Sequence, residues 1–206
     1  PKIYDVVMVA RWNWMKRHDR LLDALRRISD PGFRVALVAA NISQDSDRPR
    51  ILAAIEASGL RRQIEIFEDV PPDDVNRILN QSKVNLLLSS QEGGNRALFE
   101  GFFAGVPGLA LRHHIGIRTE HFLPETGRLI DRDQLAPALL HFREHWREFN
   151  PRQWALSHIS PEHSTRRLNE FLKQHAQRRG ECWTRDIVMK CNKPGLQYYP
   201  DDSAAQ

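Results

Sequence analysis

Glu92 and Glu100 stand eight positions apart in the stretch SSQEGGNRALFEGFFAGVPGLAL, residues 89–111, and Gly93 and Gly94 directly follow the first. The apolar spacing after Asn95 predicts a helix, so the two glycines lead into a helix start whose first turn includes Asn95 and Arg96. Unpaired amides and the positive end of the helix dipole make such a start an anion site. Glycine lets a ligand approach the backbone closely, because no Cβ stands in the way. Glu100 lies about one turn further in, at ~1.5 Å of rise per residue, where its carboxylate can accept two hydrogen bonds from a vicinal diol such as a ribose. Glu92, ahead of the helix, falls on the other side of the anion, near whatever group is attached there. A nucleoside diphosphate with a sugar at its far end satisfies that arrangement. Two glutamates at this spacing also arise by chance, and a glutamate near a helix start is favourable for the dipole alone.

A second loop strengthens the first. In ARWNWMKRHD, residues 10–19, Arg11 and Lys16 occupy a turn directly after a Val-rich run. Alone, they read as solvated surface charges; opposite an anion-ready helix start, they form a pair of cations suited to a pyrophosphate.

The elements that must bring these loops together alternate along the chain. YDVVMVA reads as a strand buried on both faces and FRVALVAA as a second buried strand; QIEIFEDV, VNLLLSS and VPGLALR are further strands, with GRLI as a short sixth. Between them RLLDALRRIS, DRPRILAAIEASGL, DDVNRILNQS and RALFEGFFAG carry helical periodicity; Gly59 and Gly105 stop the second and fourth. This alternation predicts an α/β fold, a Rossmann-like doubly wound parallel sheet. Ligands in such sheets bind beyond the carboxyl ends of the strands where strand order reverses, which places loops 10–16 and 89–95 face to face. From about Asp131 onward only helices follow, and the tail from Gly180 to Gln206 has weak periodicity. The expected domains are residues 1–178, a nucleotide-sugar-binding unit, and residues 179–206, a C-terminal extension with a frayed end.

Composition bounds the rest. The 206 residues are 41% hydrophobic and 27% charged, ordinary for a globular protein, and no apolar run approaches the ~20 residues of a membrane span. A formal charge of +4 favours acidic partners such as phosphates or anionic lipid. Cys182 and Cys191 form neither a disulfide framework nor a zinc motif, which fits a reduced, cytoplasmic setting. The chain opens almost at once on a strand, as a piece of a longer protein would.

EGGNRALFEGFFAGVPG resembles the Glu-x7-Glu pattern EGFGxxxxEAMAxGxPV of the retaining group 1 glycosyltransferases of GT-B fold (family 4-like), in their C-terminal, donor-binding half. Glu92, Glu100, Gly105 and Pro107 fall on motif positions. VARWNWMKRHDRLLDAL is similar to the family's phosphate-binding segment and puts Arg11 and Lys16 on its cationic pair; the SxxE approach and ETGRLI are further landmarks. The resemblance runs in order over residues 4–178. It implies transfer of a sugar from a nucleotide-diphosphate donor with retained configuration and with no metal or other cofactor. Arg11 and Lys16 would neutralise the leaving diphosphate with help from Gly94, Asn95 and Arg96; Glu92 would orient the donor sugar and Glu100 the ribose. The implied partners are a donor nucleotide sugar, an N-terminal Rossmann-like domain of the same chain, on which residues 179–206 would pack, and an acceptor glycan or lipid-linked sugar; the expected setting is cytoplasmic, peripheral at the inner membrane face. This fragment by itself would not transfer.

Four departures bear on the base and its surroundings. Asn95 replaces the family's second glycine, EGFF replaces EAMA, Asn41 stands where a glycine turn is usual, and FEDV, residues 67–70, puts Glu68 and Asp69 beside Val70 where the base rests. A nucleotide-sugar epimerase of the same architecture and a non-catalytic nucleotide-sugar-binding subunit are the alternative functions.

Other residues suggest less. His141 and His145 share a helix face but lack a third ligand, so they read as a surface pair. His113 and His114 lie near the expected cleft. Trp12 and Trp14 flank the phosphate loop and either cover the cleft or pack between domains. QHAQRRG, without interleaved aromatics, is a solvated helix end rather than a nucleic-acid surface.

Overall fold

The computed structural model describes residues 1–40, 46–116, 119–191 and 197–198. Chain contacts divide it into two units, Pro1–Gln153 and Trp154–Gln206.

The first unit is built on six parallel strands: β1 (Tyr4–Val9), β2 (Val35–Ala39), β3 (Ile64–Glu68), β4 (Ser82–Leu87), β5 (Gly108–Leu111) and β6 (Gly127–Ile130). They lie in the order β3-β2-β1-β4-β5-β6. Helices α1 (His18–Leu25), α2 (Arg48–Ala57), α3 (Pro72–Asn80), α4 (Arg96–Phe103) and α5 (Leu135–His145) follow or separate them. Val6 pairs with Val35 on one side and Val84 on the other, so β1 is central and its valines are shielded on both faces. Successive side chains of a strand point to opposite faces. Val6, Met8, Val35 and Leu37 therefore join the core beneath α1, α2 and α5. Val7, Ala36 and Val38 face the smaller core that includes Ile78 and Leu79 of α3.

Local chemistry sets the element ends. Pro49 and Pro72 sit in the first turns of α2 and α3, where a missing N–H costs nothing and a fixed φ suits the helix. Gly59 and Gly105, just past α2 and α4, adopt φ of +70° and +73°, which lets the chain leave each helix in a left-handed turn. The strand order reverses between β1 and β4, and the segments leaving their carboxyl ends diverge there.

The second unit holds most of α6 (Pro151–His158), all of α7 (Pro161–Arg178) and the paired residues β7 (Lys190–Cys191) and β8 (Gln197–Tyr198). Ser160 caps α7 by accepting from the His163 amide, and Asn169 Oδ1 accepts from the Ile187 amide at 2.8 Å. Cys182 is exposed and free. No described helix is long and apolar enough to cross a membrane.

Candidate functional site: the crevice between β1 and β4

After β1 the chain makes a single 3-10 turn, Trp14–Lys16. Asn13 shapes it, its side chain accepting from the Met15 amide at 2.8 Å, and Arg17 closes it with a left-handed φ of 57°. The turn carries Lys16 across the crevice, where Nζ donates to Glu92 Oε1 at 2.5 Å. Ser89, buried at the end of β4, donates to the same carboxylate oxygen at 2.6 Å. The Glu92 side chain is only 9% exposed and Lys16 21%, so water screens the pair incompletely. The backbone of Glu92 is anchored too, its amide donating to the Ile115 carbonyl at 2.9 Å.

Gly116 makes that anchoring possible. Its φ is +94°, and a Cβ there would stand 1.7 Å from the Glu92 carbonyl oxygen. Gly93 and Gly94 present the opposite case: neither has a positive φ, and a Cβ on either meets nothing within 4 Å. The fold itself has no need of glycine at 93 or 94. Gly116→Ala is therefore expected to destabilise the chain by about 1–2 kcal/mol, as strained backbone does. Gly94→Ala should leave the melting temperature unchanged while weakening any anion that sits on the helix start. Thermal melts and ligand titrations of the two variants separate the cases; a stability loss in Gly94→Ala equal to that in Gly116→Ala would refute the contrast.

Asn95 is the N-cap of α4, its Oδ1 accepting from the Leu98 amide at 2.8 Å. The Arg96 and Ala97 amides have no intrahelical acceptor. Arg11, Lys16, Val70, Glu92, Asn95 and Arg96 surround one hollow of about 590 Å³, which Gly94, Asp69 and Val38 also line. Arg11 is exposed there. Gly93 is exposed and outside that lining. Glu100 borders an adjoining hollow of about 460 Å³, which shares Val9, Val70, Val75 and Arg96 with the first. Its carboxylate is 47% exposed and lies 3.9 Å from Arg96 Nε.

The departures acquire physical reasons here. Gly101, in the middle of α4, lets the helix press on β4: a Cβ would come within 2.4 Å of Asn85 Nδ2, which donates to the Ala97 carbonyl. The bulk expected behind Glu100 is divided between Phe102, fully buried in the core, and Phe103, which lines the second hollow. Glu68 turns away from the crevice. It binds the Arg48 guanidinium at 2.6 and 2.7 Å and accepts from Trp12 Nε1 at 2.5 Å. The Arg48 hydrogen bonds hold its carboxyl below the usual range. Asp69, with φ of 51°, is the one of these two acidic residues that lines the crevice. Asn41 lies outside the described residues.

Trp12 neither covers the crevice nor packs between domains. It is fully buried within the first unit, its ring 4.9 Å from that of His18, whereas Trp14 is 63% exposed. His114 lies near Glu92 and Lys16; burial pushes its pKa down, against the attraction of Glu92. His113 is largely exposed beside Asp131, and His141 stacks on His145 at 4.4 Å. Among the described residues no three His, Cys, Asp or Glu side chains gather as metal ligands would. Ser89 could be anticipated from its place three residues before Glu92; nothing local marked Gly116 or His18.

A parallel α/β sheet with paired charges and a helix start at its switch point defines a Rossmann-like domain of the kind found in one half of GT-B glycosyltransferases. Residues 2–138 match the family model for glycosyl transferases group 1, and the chain belongs to that family. No curated protein sequence matches it. Among solved structures it is similar to sucrose-phosphate synthase from Thermosynechococcus elongatus, at TM-score 0.72 and 19% identity over 86% of this chain and 47% of that one. It is similar also to the Anabaena protein HepE, solved in complex with UDP, at TM-score 0.72 and 18% identity over 84% and 49%. The C-terminal domain of the group 1 family protein LpcC from Francisella tularensis matches at TM-score 0.65 and 15% identity, over 78% of this chain and 88% of that domain. The chain thus spans about half the length of the first two.

Proposed function

We propose that this chain is the donor-binding half of a glycosyltransferase that moves a sugar from a nucleotide diphosphate to an acceptor with retained configuration, without a metal. One observation carries the proposal: Lys16 and Glu92 meet at 2.5 Å across the switch point, beside the open start of α4. There Lys16, Arg11 and the Arg96 and Ala97 amides face the leaving diphosphate, and preorganised donors in a partly dried crevice stabilise developing charge effectively. Glu92, fixed by Ser89, exchanges its bond to Lys16 for the hydroxyls of the donor sugar. The absence of any structural need for glycine at 93 and 94 supports close approach of a ligand. The complexes of HepE with UDP and with UDP-glucose support a uridine nucleotide as the first to try.

Glu100 then holds the ribose diol in the adjoining hollow, and Val70 lies under the base between the two. Residues 1–178 are proposed as the donor-binding domain and the remainder as an extension. Acceptor chemistry, a glycan or lipid-linked sugar, belongs to the cleft between this domain and a second Rossmann-like one, so the fragment alone binds donor without transferring. Glu100→Ala is expected to weaken UDP binding roughly tenfold to a hundredfold, since a lost charged hydrogen bond costs ~1.5–3 kcal/mol. Calorimetric titration checks this, and equal affinities for the variant and the original chain would remove Glu100 from the site.

A further inference from the structure

Apart from the donor crevice, α1, the end of β5 and the start of α5 surround a separate hollow of about 310 Å³. Its apolar floor, Ala24, Leu111 and Leu135, belongs to the larger core, and it shares no lining residue with the donor crevice. Arg20, Arg27 and Arg132 line it together with Asp23 and Asp133. Asp23 is already engaged by Arg26 at 2.8 Å. Among the described residues none of the three lining arginines forms an ion pair. The hollow therefore carries an uncompensated excess of guanidinium.

Arg20 reaches the backbone just beyond β4. Its Nη1 donates to the Leu88 carbonyl at 3.3 Å, while its Nε is buried without a hydrogen-bond partner. Burial, then the nearby cations Arg17 and Arg132, lowers its pKa from the ordinary arginine value. An anion in the hollow relieves the repulsion among the cations. Guanidinium forks match phosphate oxygens in bidentate geometry.

We propose that the hollow lined by Arg20, Arg27 and Arg132 is a second anion site that takes a small phosphate-bearing molecule, distinct from the donor crevice. Leu88 precedes Ser89, which holds Glu92, so an occupant that draws Arg20 toward itself acts on the donor loop through the end of β4. A soluble phosphomonoester and the headgroup of an anionic lipid offer the same chemistry.

The test uses the 206-residue chain, with Arg27→Gln and Arg132→Gln combined, both exposed positions. Inorganic phosphate and glycerol 3-phosphate are titrated by NMR, with and without saturating UDP, and again in the Lys16→Ala background. Saturable binding that survives UDP and Lys16→Ala, and is at least tenfold weaker in the double variant, is the expected result. Circular dichroism confirms that the double variant is folded. Parallel sedimentation with phosphatidylglycerol and phosphatidylcholine vesicles separates the sources: anionic-vesicle binding that requires Arg27 and Arg132, without soluble binding, assigns the headgroup. Failure to bind either source, or binding unaffected by the double variant, overturns the proposal, as does phosphate binding that disappears in Lys16→Ala.

Discussion

Lys16→Ala is expected to weaken UDP binding roughly 100-fold while leaving uridine binding within about twofold, because a charged hydrogen bond contributes ~1.5–3 kcal/mol and each ~1.4 kcal/mol is tenfold. The upper end of that range is chosen for a structural reason. Removing the ammonium leaves Glu92, only 9% exposed, as a carboxylate facing the incoming phosphates with only Ser89 still donating to it. A lone charge of that kind repels an anion more strongly inside a crevice than in water. Added salt should reduce the affinity of the original chain more than that of the variant, since it screens the attraction that Lys16 supplies. Titrations of UDP and uridine at two ionic strengths check both parts. If UDP and uridine bind the original chain equally well, the diphosphate assignment for Lys16 and Arg11 falls.

Acid should unfold the chain through His18, the first residue of α1 and two positions beyond Lys16. His18 is buried against Trp12, and neither ring nitrogen has a hydrogen-bond partner. Burial pushes its pKa down from 6.5 to about 4; Asp47 and Asp19 pull it up, and Lys16 and Arg50 oppose them. The unfolded chain takes up the proton first. Stability is thus fully present above about pH 6.5 and is lost as pH falls toward 4. Each pH unit descended between those two values removes about 1.4 kcal/mol, so the loss by pH 4.5 is about 2–3 kcal/mol. His18→Phe keeps a ring against Trp12 and removes the titration, so its stability should change far less between pH 7 and 4.5. Denaturant unfolding of both chains at those pH values decides the matter; parallel losses would clear His18 of the effect. Because α1 begins at His18, loosening it in acid also frees the turn that aims Lys16.

Much of this molecule is legible along the chain because its determinants are local. Valine-rich runs such as YDVVMV can only be strands buried on both faces, and alternation with amphipathic segments leaves a parallel sheet as the solution. Proline at helix starts and glycine at Gly59 and Gly105 mark where elements begin and stop. The placement of Lys16 opposite Glu92 follows from the same logic, since both lie just beyond the carboxyl ends of the two strands that flank the switch point.

What the linear pattern could not convey depends on distance in space. Gly116 looks like any loop glycine until the Glu92 carbonyl is seen filling the place of its Cβ. Glu68 looks like a neighbour of the base until Arg48 and Trp12, 20 and 56 positions away, claim its carboxylate. Trp12 reads as a cleft or interdomain residue and His18 as part of the turn after β1, yet packing beneath α1 buries them both. Arg20, Arg27 and Arg132 share a hollow only because α5 returns beneath the sheet to lie beside α1. Periodicity and spacing specify which face of an element is apolar, and hence the sheet and its switch point. Which side chains then meet across that sheet is decided by close packing, which the order of residues along the chain does not encode locally.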